Sequence, residues 1–219
     1  VSPIRDGAGE VIGVSTIARD ISEKKRAEEL RKLALLDELT QLNNRRGFTL
    51  LADHQSSVAR RDKKPMTLLF IDLNNLKTIN DNFGHKEGDR AISDCAQVLR
   101  ETFRESDILA RVGGDEFCVL MWSDGELDVE TPLARLKTNL ELHNAQGIRP
   151  YKLALSVGRA NYDPHDPVSV EALMQQADML MYQEKMTKTN RARILVGDDD
   201  VAVRSDAERM FGTDFEVIT

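Results

Sequence analysis

Arg111 to Phe117 reads RVGGDEF, two glycines followed by two adjacent carboxylates, and this combination suits a site for phosphate and metal. Carboxylate oxygens are hard ligands for Mg²⁺, and a second carboxylate beside the first can take a proton. Glycine serves a turn that needs positive φ, so Gly113 and Gly114 predict a hairpin tip with room for a bulky ligand to approach the backbone. The flanking runs, Ile108 to Val112 and Phe117 to Trp122, are rich in β-branched, aromatic and long apolar residues. They predict two strands that hold Asp115 and Glu116 on a rigid platform. Gly-Gly followed by acids is also ordinary composition for a solvated turn, so the motif alone leaves both readings open.

A second acidic centre narrows the choice. Met66 to Asp72, MTLLFID, is a short apolar run ending in a carboxylate, the pattern of a buried strand that delivers Asp72 to the sheet edge. Lys77, Asn80, His85 and Asp89 follow within LNNLKTINDNFGHKEGDRAI, with Gly84 and Gly88 expected to break a loop between them. One strand-loop-helix unit would thus supply cations, metal ligands and a purine-reading pair.

These segments are similar to those of the GGDEF diguanylate cyclases, which join two GTP molecules into cyclic di-GMP. The resemblance covers about residues 35 to 195 and rests on LDELTQLNNRRGF (36–48), FIDLNNLKTINDNFGHKEGD (70–89) and RVGGDEF. It implies metal ligation by Asp72, the Leu73 carbonyl and Asp115, with Glu116 as a further ligand or as the base for the ribose 3′-hydroxyl. It implies guanine held by Asn80 and Asp89 near His85, phosphates held by Lys77 and Lys185, and close approach of the nucleotide at Gly113 and Gly114. The chemistry is coherent. An amide both donates and accepts while an ionised carboxylate only accepts, which suits the O6/N3 and N1/N2 edges of guanine and rejects adenine.

The reaction so implied is in-line attack of a 3′-hydroxyl on an α-phosphorus, with two Mg²⁺ ions (or Mn²⁺) per active site and pyrophosphate leaving. Each domain would hold one GTP, so activity would require a homodimer. Arg104 and Asp107 match the RxxD spacing, five residues before Gly113, at which relatives bind their own product and shut down. Arginine suits bidentate phosphate or guanine recognition, although a solvated helix end has the same composition. One departure is Lys188-Thr189-Asn190 where relatives carry Gly-Arg-Asn after the final helix; Thr189 replaces a phosphate-binding arginine, which predicts weaker triphosphate binding. That departure keeps open a catalytically silent receptor for GTP or cyclic di-GMP, and behind it a purely structural dimerisation module.

The remaining chain supplies the scaffold. Helical spacing marks Phe48, Leu51, Ala52 and Gln55, then Ile92, Cys95, Ala96, Leu99 and Phe103, and finally Val170 to Met181; Leu153, Leu155 and Val157 alternate as a strand. The order predicts an α/β domain with a mainly antiparallel central sheet flanked by helices, like the nucleotide-cyclase and polymerase-palm folds that the resemblance implies.

Residues 1–20 resemble the C-terminal tail of a PAS-like sensor domain, with two strands around a turn at Gly7 to Gly9. Residues 21–36 read as a connecting signalling helix, with Ser22 as cap and Ala27, Leu30, Leu33 and Ala34 as a short apolar seam, or as a simple amphipathic linker. The cyclase domain is expected over 37–196, closed by a strand at 193–196. The segment 197–219 resembles a receiver fragment around Asp198 to Asp200, or else is a tail.

With 219 residues, 41% hydrophobic, the chain can bury one good core and part of a second element. A formal net charge of −7 argues against a nucleic-acid partner, and GTP must be drawn by local lysines and metal rather than by the global field. Cys95 and Cys118 fit no metal spacing and read as buried thiols of a reducing cytoplasm. No apolar run is long enough to span a membrane and no leader is legible; the start at Val1 suggests a cytoplasmic piece of a longer sensor.

Overall fold

A computed structural model describes residues 2–15, 35–123 and 126–191, which fall into two units divided between Ala34 and Leu35. In the first, β1 (Ser2–Arg5) and β2 (Val11–Ser15) form an antiparallel hairpin, as their sequence predicts. Its turn is closed by Asp6, whose Oδ1 accepts from the Ala8 and Glu10 amides at 2.9 and 3.0 Å, and Gly9 supplies a φ of +88°. The expected connecting helix up to Ala34, the closing strand at 193–196 and the receiver-like segment lie outside the described residues, and Leu36, expected to end that helix, instead bridges Asn43.

The second unit is α/β. Its elements run α1 (Arg45–Asp62), β3 (Met66–Leu73), α2 (Leu76–Phe83), α3 (His85–Thr102), β4 (Ile108–Arg111), β5 (Glu116–Trp122), α4 (Glu126–Ala145), β6 (Leu155–Tyr162) and α5 (Val170–Arg191). The sheet order is β4-β5-β3-β6, and every neighbouring pair is antiparallel.

β3 is buried along its whole length because both faces are covered. Leu69, Ile71 and Leu73, with Phe117, Val119 and Met121 of β5, pack against α2, α3 and α4. Met66, Leu68 and Phe70, with Cys118 and Leu120, pack against α1 and α5. A period of two therefore produces an unbroken apolar run, and the next even position, Asp72, emerges on the α1/α5 side.

Two helices are fixed by specific local contacts. Asn44 caps α1 by accepting from the Gly47 amide at 2.9 Å. α5 lies so close on β6 that a Cβ at Gly158 would stand 2.0 Å from the Ala177 carbonyl oxygen and 2.3 Å from the Met181 nitrogen. Only glycine fits there.

The fold corrects several local expectations. Leu153 precedes β6; its amide and carbonyl instead pair with the Asn144 side chain at 2.8 and 2.9 Å, a local mimic of strand pairing. Gly88 lies inside α3 rather than in a loop. Residues 188–190 continue α5 rather than following it. Cys95 and Cys118 are buried free thiols, and burial pushes Cys95 up to about 12 and Cys118 higher still. Among the described residues no helix is long and apolar enough to cross a membrane.

Candidate functional site

The β4–β5 hairpin carries the signature. Val112 and Gly113 donate to the Glu116 carbonyl at 2.9 and 3.4 Å, which closes the turn. Neither Gly113 nor Gly114 has positive φ, contrary to the expectation from turn chemistry. What Gly113 provides is space: a Cβ there would meet Glu116 Oε2 at 2.2 Å, so the carboxylate folds back over the glycine. A Cβ on Gly114 would meet nothing within 4 Å.

Glu116 stands directly opposite Asp72 in the β3–β5 register. Opposed residues of an antiparallel pair share a face, so two carboxylates meet at the end of the ladder on the side covered by α5. Leu73, fully buried, donates its amide to the Asp115 carbonyl at 2.9 Å, which ties the strand end to the signature turn. Burial pushes the Glu116 carboxyl above its ordinary range; the charges of Asp178, Asp115 and Asp72 act the same way and Arg45 opposes them. Lys185, reaching from α5, places Nζ 2.6 Å from Asp72 Oδ1.

This acid cluster fits a divalent cation. Its donors are hard oxygens, and their mutual repulsion around Glu116 is what such a cation relieves. Among the described residues no three His, Cys, Asp or Glu side chains converge closely enough to hold a metal by themselves. Mg²⁺ characteristically uses one or two protein carboxylates and completes its shell with substrate phosphates and water, which two carboxylates at a sheet end can accommodate.

The second half of the site begins three residues after β3. Asn80 on α2 and Asp89 on α3 flank the joint at Gly84, where φ is +85° and the Gly84 amide donates to the Asn80 carbonyl at 2.8 Å. Here the positive φ does require glycine. Asn80 Oδ1 occupies the space that a Cβ on Gly88 would fill, 1.9 Å away, so glycine at 88 lets the amide nestle against α3. Asp89, the next residue along α3, is exposed. Lys77 and His85, on the first turns of α2 and α3, are exposed and form no ion pair among the described residues.

Arg104 and Asp107 stand apart from this constellation, ahead of β4 and so at the opposite end of that strand from Gly113. They form a compact turn in which the Arg104 amide donates to Asp107 Oδ2 at 2.9 Å and the Asp107 amide returns to the Arg104 carbonyl at 3.0 Å. The two residues line a pocket with Met121, Trp122, Pro132 and Arg135.

Sequence reasoning missed Asp37 and Arg111. The Arg111 guanidinium grips the Gly114 carbonyl with Nε and Nη2, at 3.1 and 2.8 Å, and reaches both Asp37 oxygens with Nη1, at 3.2 and 3.1 Å. Thr40 donates to Asp37 through its amide and hydroxyl at 2.8 and 2.7 Å. Both residues stood inside quoted motifs, but a pairing 74 positions apart has no local signal.

Comparison with known proteins finds relatives of this chain. The cyclic di-GMP phosphodiesterase PdeR of Escherichia coli is 35% identical over 167 residues, 76% of this chain and 25% of that protein. The probable diguanylate cyclase DgcC of E. coli is 33% identical over 173 residues, 78% of this chain and 46% of that protein. The chain therefore spans less than half the length of these relatives. The structure of an N-terminally truncated TpbB (YfiN) from Pseudomonas aeruginosa, comprising only its GGDEF domain, superposes with a TM-score of 0.64 at 32% identity, over 69% of this chain and 89% of that one. Residues 34–191 match the family model described as "Diguanylate cyclase, GGDEF domain", and the chain belongs to that family.

Proposed function

We propose that the chain is a diguanylate cyclase that condenses two GTP into cyclic di-GMP and releases pyrophosphate. The observation that carries this reading is the cross-strand pair Asp72 and Glu116, with Asp115 beside it and the Asn80/Asp89 helix pair opening from the same strand end.

Asn80 and Asp89 hold the guanine, the amide on its acceptor edge and the carboxylate on N1 and N2. Lys77 and Lys185 take the phosphates, Lys185 exchanging Asp72 for a phosphate oxygen as the nucleotide arrives. Gly114 leaves the turn backbone open to the triphosphate. Glu116 accepts the ribose 3′-hydroxyl proton at a carboxylate oxygen. Bound through Asp72, Asp115, Glu116 and the Leu73 carbonyl, two Mg²⁺ or Mn²⁺ ions would neutralise triphosphate charge and steady the attacking and leaving oxygens. Each domain carries one GTP, so a homodimer presents the two nucleotides to each other. Arg104 and Asp107 bind the product and restrain turnover.

In this reading residues 1–20 are the tail of a PAS-like sensor, 21–36 the connecting helix, 37–196 the cyclase domain and 197–219 a receiver-like fragment or tail, in a cytoplasmic protein.

A receptor that binds GTP or cyclic di-GMP without turnover is favoured by one observation: Lys185 pairs with Asp72, a carboxylate that the cyclase reading assigns to metal. Incubation with GTP and Mg²⁺ at several protein concentrations, with nucleotides resolved by chromatography, separates the two. Cyclic di-GMP formed more than proportionally with protein supports the dimeric cyclase. Binding of cyclic di-GMP with no product at any concentration refutes it in favour of the receptor.

A further inference from the structure

Tyr151 touches both helices that carry the candidate guanine readers, although it belongs to neither. It lies between α4 and β6. Its hydroxyl donates to the Glu87 carbonyl at 3.0 Å, with Glu87 Oε2 at 3.3 Å, on the first turn of α3. Its ring packs tilted against Phe83, the last residue of α2, with centroids 5.7 Å apart. Phe83 is three residues past Asn80, and Glu87 is two residues before Asp89.

The segment that carries Tyr151 is itself tethered on both sides. Arg149 pairs with Asp94 of α3 through two bonds of 2.7 and 3.1 Å, and Leu153 is held by Asn144. Burial, reinforced by Glu87, pushes the phenol up to about 12, so it remains a donor throughout the neutral range.

Asn80 and Asp89 sit on separate helices that meet at Gly84, so the distance between them depends on the angle of that joint. An amide and a carboxylate that must meet two edges of one purine tolerate little change in that distance, since a misplaced partner leaves a buried donor unsatisfied. Tyr151 braces the joint from outside.

We propose that Tyr151 is a positioning residue for purine selectivity, fixing the spacing of Asn80 and Asp89 and with it the preference of the site for guanine. The proposal rests on the guanine-binding reading of the site. Inosine triphosphate is the diagnostic competitor, because it lacks only the 2-amino group assigned to Asp89.

The test is calorimetric binding of 3′-deoxy-GTP and 3′-deoxy-ITP, which cannot attack a second nucleotide, with Mg²⁺ and the whole chain, alongside a thermal melt. Wild type is expected to prefer the guanine nucleotide by about tenfold or more. Tyr151→Phe keeps the ring on Phe83 and removes the hydroxyl; it should weaken the guanine nucleotide about five- to tenfold and the inosine nucleotide less than twofold. Tyr151→Leu, which also removes the ring contact, should lower the preference further. An unchanged guanine-to-inosine ratio in Tyr151→Phe, or equal weakening of both nucleotides, overturns the proposal. A wild-type chain that binds neither nucleotide refutes the guanine-site reading itself, and the proposal with it.

Discussion

Asp72 and Glu116 oppose each other across β3 and β5. Like charges directly opposite destabilise a sheet, and the Lys185 ammonium 2.6 Å from Asp72 offsets part of that repulsion. Glu116→Gln is expected to leave the melting temperature unchanged or slightly higher while cyclic di-GMP formation falls at least about a hundredfold. A variant that kept wild-type turnover would remove Glu116 from the mechanism.

The two signature glycines should separate. Gly113→Ala puts a methyl 2.2 Å from Glu116 Oε2 and should displace that carboxylate, lowering turnover at saturating GTP about tenfold or more. Gly114→Ala meets no protein atom and needs no unusual φ, so it should fold normally and raise KM rather than lower kcat. Steady-state kinetics of both variants checks this, and matching profiles would show that Glu116 does not depend on the space at 113.

The Asp37–Arg111 clamp predicts a pH dependence of stability. Burial alone would raise the Asp37 carboxyl, but hydrogen bonds from Thr40 and Arg111 outweigh it and hold the group below its ordinary value of 3.8. A depressed carboxylate stabilises fully above its unfolded pKa, and that stability is lost as pH falls through the folded one. The difference in melting temperature between wild type and Asp37→Asn should therefore be constant from about pH 5 to 8 and close as pH drops below 3.8. Thermal melts across that range measure it.

Arg104→Ala should relieve inhibition by cyclic di-GMP with kcat unchanged, because the residue stands at the far end of β4 from the signature turn. Turnover followed at rising product concentration checks this. Inhibition equal to wild type would remove Arg104 from product binding. Asp107→Ala is a poorer probe, since it also deletes the carboxylate that accepts from the Arg104 amide.

Gly158→Ala should be among the most destabilising single-methyl changes in the domain. Its new Cβ would press on helix backbone, which cannot rotate aside, so overpacking of about 1–3 kcal/mol or more is expected as a lower urea midpoint. Because α5 carries Lys185 and Asp178, folded variant should also show weaker GTP binding.

The acid cluster was legible because it depends on short-range rules. An apolar run buried on both faces reads as a central strand, and the carboxylate at its end has one place to go. That Asn80 and Asp89 fall on either side of one helix corner was legible for a similar reason, since they are nine residues apart with Gly84 between them. The turn at Gly113 was misread in its cause: glycine there answers a side chain three residues on, which no turn propensity encodes. Leu153 alternated correctly with Leu155 and Val157, yet an asparagine amide took the place of a strand partner. Asp37 with Arg111, Lys185 with Asp72, and Tyr151 with Glu87 are pairings across the fold, decided by how α1, α5 and the segment after α4 lie on the sheet. No window of sequence contains both members.

β3 is hydrogen-bonded to a strand on each side along most of its length, whereas the joint at Gly84 is held by a few local backbone bonds and by the Tyr151 side chain. The strand end that carries Asp72 is thus held by continuous ladders, and the corner that carries Asn80 and Asp89 by a few separate contacts. In the proposed reading, parts so divided can be retuned separately: changes at the α2–α3 corner would shift which nucleobase is accepted while the Asp72–Glu116 pair stays in place, which makes that corner the economical place to engineer a new substrate.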